Sequence, residues 1–344
     1  MEIDMNSSVN QGSKSYNSIS VIGAGAWGTA IAATLSKNQN EIGLWAKEPE
    51  VVKSINERNE NNVFLKGVSL SPRIKAYSNF NFLDKSDLIF LVTPAQYLRA
   101  TLENIKDQIK INTPIVLCSK GVEIGSLKLM SEVTKDILPQ NPIAILSGPS
   151  FAVDVALNLP TALTLACKDY DIGKIIAETI NSAEFRIYQS QDVVGAQIGG
   201  AAKNIIAIAS GIVFGKKLGD SARSALITRG YSEISRLAVA MGGEARTLTG
   251  LSGMGDLILT CNSQTSRNFT LGVNLGKGKS IEEATNGLKS IAEGMFSTKA
   301  IIKLAENYKV AMPITDSINK LINNQSDIDT IIKELLSRPI KEEA

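Results

Sequence analysis

From residue 19 to residue 188 the chain repeats one pattern: a short apolar run, a turn, then a longer stretch at helical spacing. Residues 19–22, 41–45, 88–92, 115–119, 143–146, 161–166 and 184–188 read as strands. Residues 25–37, 95–109, 127–137 and 172–182 read as the helices between them. Several of the strands are uninterrupted apolar runs, as expected when both faces of a parallel sheet are covered. This predicts an α/β region with a mostly parallel sheet. Past about residue 191 strand signals stop. Residues 193–213 carry Gly195, Gly199, Gly200, Ala201, Ala202, Ala207, Ala209 and Gly211, small residues that let helices approach closely. They predict a buried central helix, with further helices over 221–240, 281–288, 297–308 and 314–323. The expected organisation is a disordered polar extension over 1–17, an α/β domain over 18–191, an all-α domain over 192–338 and a tail over 339–344.

The first strand runs into Gly23-Ala-Gly-Ala-Trp-Gly28, so three glycines stand at G-x-G-x-x-G spacing between a strand and a helix. Each has a physical job there. Gly23 permits the tight turn, Gly25 lets a pyrophosphate approach the backbone, and Gly28 lets the helix pack on the strand. The free N–H groups at the helix start then face the phosphates. The N-terminal domain therefore reads as a Rossmann-like dinucleotide-binding domain. At the end of the second strand an acid would bind the ribose of NAD, whereas a basic residue can neutralise the extra phosphate of NADP. Lys47 stands there with no acid before it, although Glu48 follows. NADP is favoured and NAD tolerated; a solvated surface lysine is the alternative.

Composition narrows the chemistry. The chain has 344 residues and a net charge of +2, so nothing points to nucleic acid or an acidic membrane surface. No uncharged apolar run reaches the length of a membrane span, and the first 17 residues lack the apolar core of a signal peptide. Cys118, Cys167 and Cys261 make neither a disulfide framework nor a metal-ligand spacing. A cytoplasmic protein without a metal and without membrane insertion is expected. There is no histidine, so an enzyme that moves a proton here must use Lys, Tyr, Asp or Glu.

Four segments carry candidate chemistry. Lys120 comes directly off a strand's C-terminal end, where ligands gather in such sheets. Ser147-Gly148-Pro149-Ser150-Phe151-Ala152 follows another strand and is either a ligand-holding turn or only a turn. Lys203 and Asn204 interrupt the small-residue helix; a lysine buried there would have a lowered pKa, as a base working near neutrality needs, and a lysine on the helix's outer stripe is the alternative. The glycines before Asp256 suggest a close approach to a ligand. Ser266 reads as the cap of a helix starting at Arg267 and Asn268, which is equally a phosphate receptor and an ordinary helix start. Glu293 is a candidate that a plain surface acid would also explain.

Together these segments resemble the bacterial-type NAD(P)-dependent glycerol-3-phosphate dehydrogenase family. The resemblance rests on the motif at 21–30, Ser119-Lys-Gly121, Leu146-Ser-Gly-Pro-Ser-Phe-Ala152, Gly199-Gly-Ala-Ala-Lys-Asn204, Ala225-Leu-Ile-Thr-Arg-Gly230, Gly253-Met-Gly-Asp256, Ser266-Arg-Asn268 and Met312-Pro-Ile314, in one order over 18–335. It implies reversible hydride transfer that reduces dihydroxyacetone phosphate to sn-glycerol 3-phosphate for phospholipid synthesis. It implies Lys203 as the catalytic lysine, and Lys120, Gly148, Ser150, Lys203, Asp256, Ser266, Arg267 and Asn268 around the substrate. For the cofactor it implies Ala26, Trp27, Lys47, Lys120, Ala152, Arg267, Ile291 and Glu293, beside Gly23, Gly25 and Gly28. Ala26 stands where many relatives have serine, which removes one hydroxyl contact to the pyrophosphate. Family habit and the small-residue helix suggest a homodimer. The competing readings are a two-domain hydroxy-acid dehydrogenase, separable by its substrate, and a non-catalytic NAD(P)-binding sensor, separable by binding without turnover.

Overall fold

The computed structural model describes residues 15–38, 41–285 and 293–337. Strands β1 (Ile19–Ile22), β2 (Ile42–Trp45), β3 (Ile74–Tyr77), β4 (Leu88–Leu91), β5 (Ile115–Leu117), β6 (Ile143–Ser147), β7 (Thr161–Cys167) and β8 (Phe185–Ser190) form one sheet in the order 3-2-1-4-5-6-7-8. All pairs are parallel except β6 with β7. Central β1 and β4 are buried at all four positions, which explains why β4 is apolar throughout and β1 is apolar except at Ser20, whose hydroxyl pairs with that of Ser86 at 2.6 Å. Edge strand β3 buries only alternate residues.

Helices α1 (Ala26–Leu35), α2 (Pro49–Arg58), α3 (Leu98–Ile105), α4 (Met130–Ile137), α5 (Ala152–Ala156) and α6 (Tyr170–Ile180) accompany the sheet. Two of these elements escaped the sequence pattern. β3 is a four-residue strand with only half its positions buried. α2 begins at Pro49 and ends where Asn59 turns left-handed at φ 52°, a capping geometry that outweighs its polar composition. The expected helix over 95–109 is α3 flanked by short 3₁₀ turns, Ala95–Tyr97 and Lys106–Gln108.

Beyond the sheet the chain is helical: α7 (Val193–Gly215), α8 (Asp220–Ala240), α9 (Ala245–Thr249), a π-turn over Leu251–Gly255, α10 (Asp256–Asn262), α11 (Arg267–Gly276), α12 (Ile281–Thr285), α13 (Glu293–Asn307), α14 (Pro313–Ile322) and α15 (Ile328–Leu336). Every residue of α7 from Gly195 to Val213 is buried. A Cβ on Gly199 would sit 2.5 Å from the Ser252 carbonyl oxygen, and one on Gly211 would overlap the Phe269 carbonyl. The small residues therefore bring α7 into backbone contact with the π-turn and α11 of the same chain, so they no longer argue for a dimer contact. Among the described residues α7 is the one helix long and apolar enough to cross a membrane, and 89% of its most apolar window is buried inside the protein.

Most of the extension expected over 1–17, and the tail over 339–344, lie outside the described residues. Tyr16 is described: it packs on the sheet's core, and its N–H donates to Thr179 Oγ1 at 3.3 Å. Glu233 on α8 is buried and accepts the N–H groups of Ile314 (2.7 Å) and Thr315 (3.2 Å), which caps α14.

Candidate functional site

The glycine turn lies at the C-terminal end of β1, which sits between β2 and β4 where the strand order reverses. Gly23 has φ +115° and accommodates the turn against the Val92 backbone. A Cβ on Gly28 would overlap the Gly23 carbonyl, so α1 can leave β1 this tightly only with glycine there. At exposed Gly25 a Cβ would meet nothing within 4 Å. This vacant approach opens onto the start of α1, whose first turn carries no acid. It fits a dinucleotide's pyrophosphate, held by α1 N–H groups and the helix dipole. Lys47 is exposed just past β2. Ile291 lies outside the described residues, as does the side chain of Glu293; the backbone of Glu293 begins α13.

Cys118, two residues before Lys120, is buried. Burial pushes that thiol up to about 12, with Lys120 and Trp27 pulling the other way, so it is neutral and inert at physiological pH.

The second cluster is ionic. Lys120 Nζ donates to Asp256 Oδ2 at 2.5 Å, and Lys203 Nζ donates to Asp256 Oδ1. Lys203 also donates to Thr260 Oγ1 at 3.0 Å, while the Thr260 hydroxyl donates to the Asp256 carbonyl at 2.6 Å. Lys203 is 7% and Asp256 1% exposed. The Lys120 side chain is less enclosed, at 22%. Burial pulls the Lys203 amine down to about 8; Asp256 opposes this and Lys120 adds to it. Burial alone would raise Asp256, but the two ammonium groups outweigh it and hold the carboxyl below its ordinary value. Because the folded chain binds this lysine's proton more weakly than the unfolded chain, Lys203 favours folding increasingly as pH rises from about 8 to 10.5.

The sequence placed Lys120, Lys203 and Asp256 in separate segments, and the fold joins them. Thr260 was missed. Its signal was available: it stands one helical turn after Asp256 on α10, so both face the same side. The turn after β6 borders the cluster. Ser147 Oγ and the Lys120 stem lie together beside Gly200, each 3.3 Å from where a Cβ would stand, and Pro149 lies against Gly255. Gly148 is buried, and Ser150 donates to its carbonyl at 3.3 Å. Ala152 begins α5, half-buried and packed against the sheet core. The glycines before Asp256 have a different use from the one expected. Gly253 packs on the Leu248 backbone, and neighbouring Ser252 on Gly199, so the close approach there is protein on protein.

Ser266 caps α11 by accepting the Phe269 N–H at 3.3 Å. Arg267 opens the helix on the exposed side. Asn268 is buried, and its Oδ1 accepts the Gly294 N–H at 3.1 Å, which turns its NH₂ group away from Gly294. A Cβ on Gly294 would stand 2.7 Å from Asn268 Oδ1 and 3.0 Å from the Asn204 carbonyl, so the start of α11 is tied to the residue beside Lys203.

A glycine turn at the switch point and a buried lysine held by a carboxylate are thus joined in one fold. Residues 18–172 match the family described as NAD-dependent glycerol-3-phosphate dehydrogenase N-terminus, and residues 192–333 match its C-terminus. The chain belongs to the NAD-dependent glycerol-3-phosphate dehydrogenase family. A relative from Caulobacter vibrioides, named glycerol-3-phosphate dehydrogenase [NAD(P)+], is 49% identical over 329 residues, covering 96% of this chain and 99% of that protein. One of the same name from Parvibaculum lavamentivorans is 46% identical, covering 95% and 98%. The crystal structure of glycerol-3-phosphate dehydrogenase from Coxiella burnetii superposes with a TM-score of 0.90 at 37% identity, covering 94% of this chain and 99% of that one. The Rossmann-like sheet and helical C-terminal region are those of this dehydrogenase family.

Proposed function

We propose that this chain reduces dihydroxyacetone phosphate to sn-glycerol 3-phosphate, reversibly, with NADPH or NADH. The observation that carries the reading is the Lys203–Asp256–Lys120 cluster, in one fold with a glycine turn shaped for a dinucleotide. When bound, the reduced nicotinamide supplies a hydride to C2 of the triose phosphate. Lys203, as an ammonium, gives its proton to the oxygen that gains charge; in reverse, the neutral amine takes the hydroxyl proton. A pKa near 8 lets one group serve both directions near neutrality. Asp256 and Thr260 accept the amine's other hydrogen bonds and aim it. Lys120 contributes a second positive charge where the alkoxide develops.

Ser266, Arg267 and Asn268 grip the substrate phosphate. The Ser266 oxygen accepts from the helix, which leaves its O–H to donate outward. The turn with Gly148 and Ser150 closes the other side. Binding energy from the unreactive phosphate then positions the carbonyl. Gly23, Gly25, Ala26, Trp27 and Gly28 hold the pyrophosphate; Lys47, Ala152, Ile291 and Glu293 complete the cofactor's surroundings. Lys47 favours NADP. The division into units over 18–191 and 192–338 belongs to the same proposal, with the site between them.

A cytoplasmic homodimer supplying phospholipid synthesis is part of this reading. Three buried free cysteines support a reducing compartment. Helix α8, of whose 21 residues only Gly230, Glu233, Ile234, Leu237 and Ala238 are buried, offers a surface for a second copy. Light scattering on purified protein tests the dimer. The activity is tested by following reduced-cofactor absorbance with dihydroxyacetone phosphate, with 2-oxo acids in parallel. Turnover of the phosphate ester alone is expected. Turnover of 2-oxo acids alone, or cofactor binding without turnover, would overturn the assignment.

A further inference from the structure

Asn61 lies in the loop after α2 and is fully buried. Its Oδ1 accepts the Phe64 N–H at 3.0 Å. Only the amide oxygen can meet that N–H, so the NH₂ group must face the other way. There Nδ2 donates to the Ala24 carbonyl at 2.8 Å and to Thr29 Oγ1 at 2.8 Å. Thr29 in turn donates to the same carbonyl at 3.3 Å. Ala24 lies between Gly23 and Gly25, and Thr29 lies one turn into α1. One buried amide therefore ties the middle of the glycine turn to the helix that follows it.

The tie has a directional consequence. In a trans peptide the C=O and the next N–H point in opposite directions. Drawing the Ala24 carbonyl inward turns the Gly25 N–H outward, on the exposed side where a Cβ would meet no atom. We propose that Asn61 is a positioning residue for dinucleotide binding, aiming the Gly25 N–H at the pyrophosphate. This rests on the glycine turn being the cofactor site. The loop that holds Asn61 has anchors of its own: Ser54 Oγ donates to the Glu60 carbonyl at 2.7 Å, and the Leu70 N–H to the Asn59 carbonyl at 2.7 Å.

The test uses Asn61→Leu, which keeps the shape and adds no charge that would itself repel phosphate. Thr29→Val, which keeps volume and loses the hydroxyl, is the second variant and is read alone if the first does not fold. NADPH and ADP binding are followed by tryptophan fluorescence, since the two tryptophans, Trp27 and Trp45, both flank the turn. Both Kd values should rise about tenfold in Asn61→Leu and about threefold in Thr29→Val, the scale of one misdirected hydrogen bond to a charged group. KM for NADPH should rise in parallel. KM for dihydroxyacetone phosphate at saturating NADPH should stay within about twofold. A merely structural role would lower the melting temperature and leave the Kd of folded protein unchanged. A folded variant binding ADP and NADPH within twofold of the parent overturns this inference alone. A parent protein that binds neither overturns the proposed function as well.

Discussion

At the end of β1 the molecule offers a ligand almost nothing but backbone, whereas on α7 it offers buried charge. The glycine turn is mostly local: a strand, three glycines and a helix start lie within ten residues, and Asn61 and the Trp45 carbonyl support it from farther along the chain. The ionic cluster takes Lys120 from the loop after β5, Lys203 from the middle of α7, and Asp256 and Thr260 from α10. Their energetics differ too. Pointing N–H groups at an anion leaves no unpaired charge in the unliganded protein. Burying Lys203 penalises its charged form and pulls its pKa down to about 8, even with Asp256 opposing. A stretch of backbone can bind; a proton donor matched to neutral pH requires such a burial.

The sharpest way to separate the two regions is Lys203→Ala. Turnover should fall about 10²–10⁴-fold while NADPH binding, followed by fluorescence, changes little. Retained turnover in a folded variant would remove Lys203 from the chemistry. The glycines divide the first region further. Gly28→Ala drives a methyl group into the Gly23 carbonyl, so it should lower the melting temperature and weaken NADPH binding by more than about tenfold. Gly25→Ala has room in the unliganded protein, so its melting temperature should hold while the cofactor Kd rises about tenfold. Equal melting temperatures for the two variants would break the contrast.

Acidity probes the cluster without mutation. Reduction needs the ammonium form of Lys203, so its kcat/KM should fall above about pH 8, roughly tenfold by pH 9. Oxidation needs the neutral amine and should rise as pH approaches about 8. A flat reduction profile from pH 7 to 9 would contradict the assignment. The smallest effect is expected at the exposed Lys47. Lys47→Glu should shift the ratio of NADPH to NADH kcat/KM toward NADH by about fivefold, as one solvated charge pair permits. An unchanged ratio would make Lys47 an ordinary surface lysine.

Regions of the sequence differed in how much they disclosed. The strand runs at 19–22 and 88–92 were readable because central parallel strands, Ser20 apart, are apolar along their length. β3 was not, because a four-residue edge strand buries only every second side chain. The small residues of 193–213 announced a buried helix but not its neighbours: backbone contact through Gly199 and Gly211 looks the same in sequence whether the partner is the same chain or another. Lys203 was conspicuous as a charge in an apolar helix, whereas Thr260 resembled any helical threonine.

By itself the amino-acid order determined the alternation of strand and helix, the glycine turn between β1 and α1 and a lysine set in a helix of small apolar residues. Each depends on neighbours within a few residues, where periodicity and glycine spacing act directly. Only the tertiary structure decided that Lys120, Lys203, Asp256 and Thr260 share one network, and that Asn61 reaches back to Ala24. Those contacts join residues far apart in the chain. Their geometry comes from the packing of α7 against the sheet, the π-turn and α11, which no local pattern encodes.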